Sequence, residues 1–225
     1  MKYTYLLVNF FTIIVPFLFS FHPKLKFYKT WKAFFPAVII TGIFFLVWDA
    51  YFTELGVWGF NKDYLIGVYL HNLPIEEILF FFCIPYACVF TYHCLDLWIK
   101  DFKIDKLSTL FILTCLMVAV IHYRNAYTLF AFLTLGIFLL VARYVLRAEW
   151  LMKFYIIYGV LLFPFLIVNG ILTGTGLENP VVWYNENEMI GWRILTIPFE
   201  DIFYGMAMVL MNLLIYKVLL KKYSI

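Results

Sequence analysis

The feature that most constrains this chain is a series of apolar runs, each about as long as a bilayer is thick, separated by short basic segments. They fall near 3–21, 33–52, 74–99, 107–122, 126–146, 151–172 and 198–220. A run of roughly 20 apolar residues crosses a bilayer as a helix, because lipid offers backbone N–H and C=O groups no partner outside their own segment. The fourth run is short. Of the 225 residues, 65% are hydrophobic and 14% charged, more apolar surface than the interior of a soluble domain this size can hide. The sequence therefore predicts an all-α integral membrane protein with about seven transmembrane helices. Residues 1–20 have a weakly basic start and no small-residue cleavage site, so they read as a retained first span.

Basic residues gather in alternate loops. Lys24, Lys26, Lys29 and Lys32, then Lys100, Lys103 and Lys106, then Arg143, Arg147 and Lys153, and finally Lys217, Lys221 and Lys222 make 13 of the 17. The opposite side holds Lys2, Lys62, Arg124 and Arg193. Cytoplasmic loops attract the positive excess. This predicts a multi-pass plasma (inner) membrane protein with its N-terminus outside and its C-terminus cytoplasmic.

The chain also repeats itself. At an offset of 124, Phe60, Asn61, Gly67, Pro74, Glu76, Phe80 and Tyr92 meet Tyr184, Asn185, Gly191, Pro198, Glu200, Tyr204 and Tyr216, and Glu77 meets Asp201. At an offset of 120, Asp49, Thr53 and Gly56 meet Asn169, Thr173 and Gly176. Internal duplication accounts for this density of matches. It predicts two three-helix repeats in parallel orientation, residues 1–99 and 123–225, joined by a connector helix over 100–122. A connector that crosses the membrane leaves both copies facing the same way, related by a pseudo-twofold along the membrane normal.

Each copy places two acids just after a proline at the mouth of an apolar helix: Pro74-Ile75-Glu76-Glu77 and Pro198-Phe199-Glu200-Asp201. Ionisable groups at such a depth are costly and point to function. Proline suits the first helical turn, with Asn72 and Thr196 as candidate N-caps. The helix dipole favours the carboxylate, whereas burial and a like-charged neighbour favour the neutral acid. The expected outcome is one anionic and one protonated member per pair, the arrangement that acid–base chemistry uses. Simple helix capping is the plainer alternative.

The segments ahead of each pair carry Trp48, Asp49, Trp58 and Asn61 in one copy and Asn169, Tyr184, Asn185 and Arg193 in the other. Together with Tyr92 and Tyr216 they are candidates for binding an apolar substrate whose reaction passes through a cation, since aromatic faces attract positive charge. An interfacial aromatic belt is the alternative, preferred for Trp31, Trp98 and Trp150. Arg193, close in sequence to the second pair, is a candidate partner for Glu200 or Asp201. His71 lies near the first pair and reads as a polar interfacial residue or a proton relay. Cys83, Cys88, Cys94 and Cys115 form no CxxC pair and read as small core residues.

The 48–61 stretch, the Asn72-Leu73-Pro74-Ile75-Glu76-Glu77 motif, the 169–173 segment and the run from Arg193 to Asp201 resemble the heterodimer-type lycopene cyclase family. The two subunit-like halves look fused in one chain, and the similarity covers nearly its whole length. The second copy departs modestly, with Asp201 where the first has Glu77. The resemblance implies a cofactor-free isomerase of the intramolecular-lyase type. Such an enzyme converts lycopene through γ-carotene to β-carotene without net redox change, and the four acids are its catalytic positions. On this view Glu76 and Glu200 act in protonation, and Glu77 and Asp201 in deprotonation or cation stabilisation. The implied partners are lycopene or a related linear carotenoid, the lipid bilayer and other membrane enzymes of the carotenoid pathway, with no nucleic acid and no metal.

A proton-coupled transporter with acid-bearing pseudo-symmetric repeats is the main competing reading. A Mg²⁺-dependent prenyltransferase would need Asp-x-x-x-Asp spacing, and a Glu-Glu-x-x-x-Arg protease an arginine after Glu77; neither is present. A retinal protein would need a lysine in the middle of the last span, where Lys217 sits at its end instead.

Overall fold

The computed structural model describes residues 2–100 and 105–224, so Lys103 of the second basic segment lies outside the described residues. Among these are seven α-helices: α1 (Thr4–Phe19), α2 (Trp31–Glu54), α3 (Ile75–Asp96), α4 (Asp105–Ile121), α5 (Ala126–Leu140), α6 (Leu151–Leu172) and α7 (Phe199–Tyr223). A π-helical turn, Val141–Val145, continues α5. Five spans are long and apolar enough to cross a membrane, namely Phe27–Glu54, Ile75–Asp96, Ala126–Val145, Leu151–Leu172 and Phe199–Tyr223. The apolar helices at Thr4–Phe19 and Lys106–Ile121 are shorter. The protein is thus an all-α membrane protein. Prolines lie inside α1, α2, α3 and α6 (Pro16, Pro36, Pro85 and Pro164), as transmembrane helices tolerate.

The two halves pack in matching ways. Helix α1 lies along α3 as α5 lies along α7, and α2 packs on both α3 and α7, knitting the halves together. Helix α4 packs on α5. Before each acid pair the chain forms a two-residue hairpin: β2 (Tyr69–Leu70) with β3 (Leu73–Pro74), and β5 (Arg193–Ile194) with β6 (Ile197–Pro198). Both turns hold a non-glycine residue at positive φ, His71 at 58° and Leu195 at 57°. Such strain persists only where the surroundings over-determine it, and here it recurs at equivalent positions.

Two further strands, β1 (Trp58–Phe60) and β4 (Val182–Tyr184), pair antiparallel across the halves. Gly59 faces its own repeat equivalent, Trp183, and the flanking pairs are Trp58 with Tyr184 and Phe60 with Val182. That register is self-reciprocal, as a pseudo-twofold requires. The loops obey it too: Asn61 N–H donates to the Val181 carbonyl and Asn185 N–H to the Val57 carbonyl, each at 2.8 Å.

The helix starts differ from the sequence expectation in one respect. Pro74 and Pro198 are extended residues capping α3 and α7 rather than members of the first turn, because each also closes a hairpin. Asn72 and Thr196 do not cap. The Asn72 amide donates to the Ala50 carbonyl of α2 at 2.7 Å, and the Thr196 hydroxyl bonds those of Thr173 and Thr175 at 2.8 and 2.6 Å. Both tie the hairpin to the end of the preceding helix.

At the opposite end of the bundle, Asp96 of α3 receives Lys153 of α6 and Lys217 of α7, one on each carboxylate oxygen, both at 2.9 Å. Lys217 also sits 4.8 Å over the Tyr92 ring. A carboxylate shared by lysines from two other helices holds three elements at once. Asp96→Ala is expected to destabilise the protein by about 1–2 kcal/mol, allowing for its partial exposure. A lower thermal midpoint in detergent, with the helical signal below the transition unchanged, checks this.

Candidate active site

The two acids of each pair are neighbours in sequence, so a helix sends their side chains about 100° apart, and each does a different job. Glu76 and Glu200 are fully buried. The Glu76 Oε1 accepts the Ile66 amide at 2.6 Å, and the Glu200 Oε1 accepts the Ile190 amide at 2.7 Å. Glu200 also takes the Thr128 hydroxyl of α5 at 2.6 Å. These buried bonds fold the upstream loop back over the helix mouth in both halves.

Glu77 and Asp201 instead line a cavity of about 760 Å³, within the usual size of ligand sites, and they do so from opposite halves of the chain. The Tyr5 hydroxyl of α1 donates to Glu77 Oε2 at 2.5 Å. In the equivalent place on α5, Tyr127 donates to Asp201 Oδ1. The other Asp201 oxygen accepts the Asn169 amide at 2.5 Å and the Tyr184 hydroxyl at 3.1 Å. Burial first, and the neighbouring Asp201 charge second, hold the Tyr184 phenol well above its ordinary range, so it remains a donor. A third acid, Asp49 of α2, also lines the cavity and accepts the Trp58 indole N–H at 2.5 Å. Its repeat equivalent is Asn169, so α2 contributes a carboxylate where α6 contributes an amide.

Aromatic rings enclose the acids. Trp58 meets Tyr127 at 5.1 Å and Tyr204 at 6.3 Å between ring centroids, and Tyr127 stacks on Tyr184 at 5.8 Å. The rest of the wall is mostly apolar. Phe11 and Val15 of α1 and Ile167 of α6 line the cavity yet are more than half exposed, so the open side lies between those helices, where a bilayer would meet it.

A family model described as "Lycopene cyclase" matches residues 2–95 and 122–219. The chain belongs to the lycopene cyclase family. A protein named bifunctional lycopene cyclase/phytoene synthase, from Aspergillus niger, is 24% identical over 162 residues, which is 66% of this chain and 26% of that protein. The chain therefore spans about a quarter of the length of that curated relative. No solved structure matches it.

For a lycopene cyclase family member, the candidate residues divide clearly. Glu77, Asp201, Asp49, Trp58, Asn169 and Tyr184 converge on the cavity. Glu76 and Glu200 sit behind it. Trp48 packs against the site from outside the lining, 5.0 Å from the Tyr204 ring. Asn61 and Asn185 cap short 3-10 turns by accepting the amides of Asp63 and Asn187, each at 3.1 Å. The Arg193 guanidinium bonds Glu186 and the Thr196 carbonyl, each at 2.6 Å, and so holds the hairpin rather than the acid pair. Tyr92 and Tyr216 are buried at the far end of α3 and α7, sixteen residues from Glu76 and Glu200, or about 24 Å along a helix.

Tyr5, Tyr127, Tyr158 and Tyr204 line the cavity without having been singled out as candidates. Tyr5 and Tyr127 open the first helix of each half. Extending the repeat to those helices would have paired them.

Proposed function

We propose that this chain is a membrane carotenoid cyclase, closing the linear ends of lycopene to β-ionone rings in one cavity that its two halves share. The observation that carries the reading is the convergence of Glu77, Asp201 and Asp49 inside an aromatic-walled apolar cavity open on its bilayer side. Lycopene is a long apolar polyene dissolved in the membrane, and such a cavity admits one end of it.

A protonated carboxyl adds its proton to the terminal double bond, leaving a tertiary cation. The next suitably placed double bond attacks that cation, forms the ring bond and moves the charge into the ring. A carboxylate then removes a ring proton, restoring a neutral polyene of unchanged mass. Glu77, with one hydrogen-bond donor among the described residues, suits the acid. Asp201, which accepts from Tyr127, Asn169 and Tyr184, suits the anion that faces the cation, helped by the rings of Trp58, Tyr127 and Tyr204. Glu76 and Glu200 serve as anchors for the loops that close the site. This reading exchanges the roles that the sequence suggests within each pair. It keeps the two repeats at 1–99 and 123–225 with the connector between them, and the acids at the outer face of a plasma (inner) membrane, the C-terminus being cytoplasmic.

Pigment analysis of lycopene-accumulating bacteria expressing the chain tests the proposal. Ring-bearing carotenoids are expected. Unchanged lycopene with the protein present in the membrane would reject the cyclase, and proton-coupled flux in liposomes would then favour a transporter.

A further inference from the structure

On the cyclase reading, we infer that Asp49 is the base that takes the ring proton, so that the shared cavity has one fixed acid, Glu77, and one fixed base. Asp49 is 3% exposed and lines the cavity. The Trp58 indole holds its Oδ1 at 2.5 Å, while its buried Oδ2 has no hydrogen-bond partner among the described residues. A carboxylate oxygen without a donor keeps its lone pairs for a C–H proton. Both oxygens of Asp201, by contrast, are engaged by phenol and amide donors that would have to be displaced. Glu76 and Glu200 each also have a bare Oε2, but neither lines the cavity.

The broken symmetry gives the inference its direction. If the halves were interchangeable, position 169 would carry an acid as position 49 does. It carries an amide, which donates to Asp201 and commits that carboxylate to the acceptor role. Only the first half then offers a free carboxylate oxygen on its α2-type helix. Glu77 shares the cavity lining with both Asp49 and Asp201. The balance closes without any co-reactant. Glu77 gives a proton to the CH carbon of the terminal double bond, and the internal double bond attacks the resulting tertiary cation to form the new carbon–carbon bond. Asp49 then takes a proton from the ring carbon beside the relocated cation as its C–H electrons become the ring double bond. Loss of the proton from Asp49 to solvent and uptake of one from solvent by Glu77 reset the site.

The test compares Asp49→Asn and Asp49→Glu with wild type, all purified and assayed with lycopene in liposomes, with initial rates, KM and ring isomers measured. Asparagine preserves the shape and the acceptor for Trp58, so a purely structural Asp49 predicts an active enzyme. The base assignment predicts a fall in kcat of about 100-fold or more with KM little changed. It also predicts partial rescue by Asp49→Glu, and a shifted ring double-bond position in the residual product. Activity of Asp49→Asn within about threefold of wild type, a loss confined to KM, or a loss that Asp49→Glu does not relieve overturns the assignment. Wild type that leaves lycopene unchanged overturns the cyclase reading and this inference with it, whereas an active wild type beside an active Asp49→Asn removes the inference alone.

Discussion

Glu77→Gln is expected to abolish ring formation, while Glu76→Gln, one residue away, leaves most of it. The two carboxyls share a helix turn but not an environment. Glu77 lines the cavity and, among the described residues, accepts a hydrogen bond from the Tyr5 hydroxyl alone, so its carboxyl can reach an apolar guest. A glutamine there retains shape and the bond to Tyr5 but has no transferable proton, and loss of a general acid costs about 100-fold to 10,000-fold. Glu76 is shut away behind the cavity with the Ile66 amide on its Oε1. Glutamine still accepts that amide, so the change there should cost no more than about 1 kcal/mol in stability and only a few-fold in rate. Initial rates for both purified variants decide the matter. Equal loss in the two, or a larger loss in Glu76→Gln, would return the donor role to the residue the sequence alone suggests.

Asp201→Asn is expected to slow the first and the second ring closure by the same factor. Two acid-bearing repeats and a substrate with two ends invite the idea that each half serves one end. The cavity argues otherwise, because Glu77 of the first half and Asp201 of the second line the same space. A substrate end must therefore be processed there, released, and replaced by the other end. Removing the Asp201 charge takes an anion from beside the developing cation, a loss of about 100-fold to 1,000-fold by comparison with other preorganised electrostatic groups. Rates measured separately with lycopene and with its monocyclic product should fall together. A variant that loses one closure and spares the other would mean two sites.

Much of the fold was legible because lipid leaves the backbone so few choices. The seven apolar runs are seven helices among the described residues, and β1 and β4 pair in a reciprocal register in which Gly59 faces Trp183. The helix starts were misjudged at Pro74 and Pro198, since nothing local announces that each proline also closes a hairpin. Within the site, residue type was informative and direction was not. The sequence presents Glu76 and Glu77 as a pair, but a turn of about 100° per residue separates a loop anchor from a cavity acid. Arg193 looked like a partner for the acids by proximity in sequence, and its hairpin turns it toward Glu186. Tyr5 and Tyr127 reach the acids across 72 and 74 residues of chain, contacts that helix packing creates and that no local pattern contains.

The most direct test of the central claim is deuterium counting. The purified chain in lycopene-containing liposomes, suspended in D₂O, should yield cyclic products carrying one solvent deuterium per ring, because the proton that starts each closure comes from an exchangeable carboxyl. Recovery of lycopene without rings, or of rings without deuterium, would contradict acid-initiated cyclisation in this cavity.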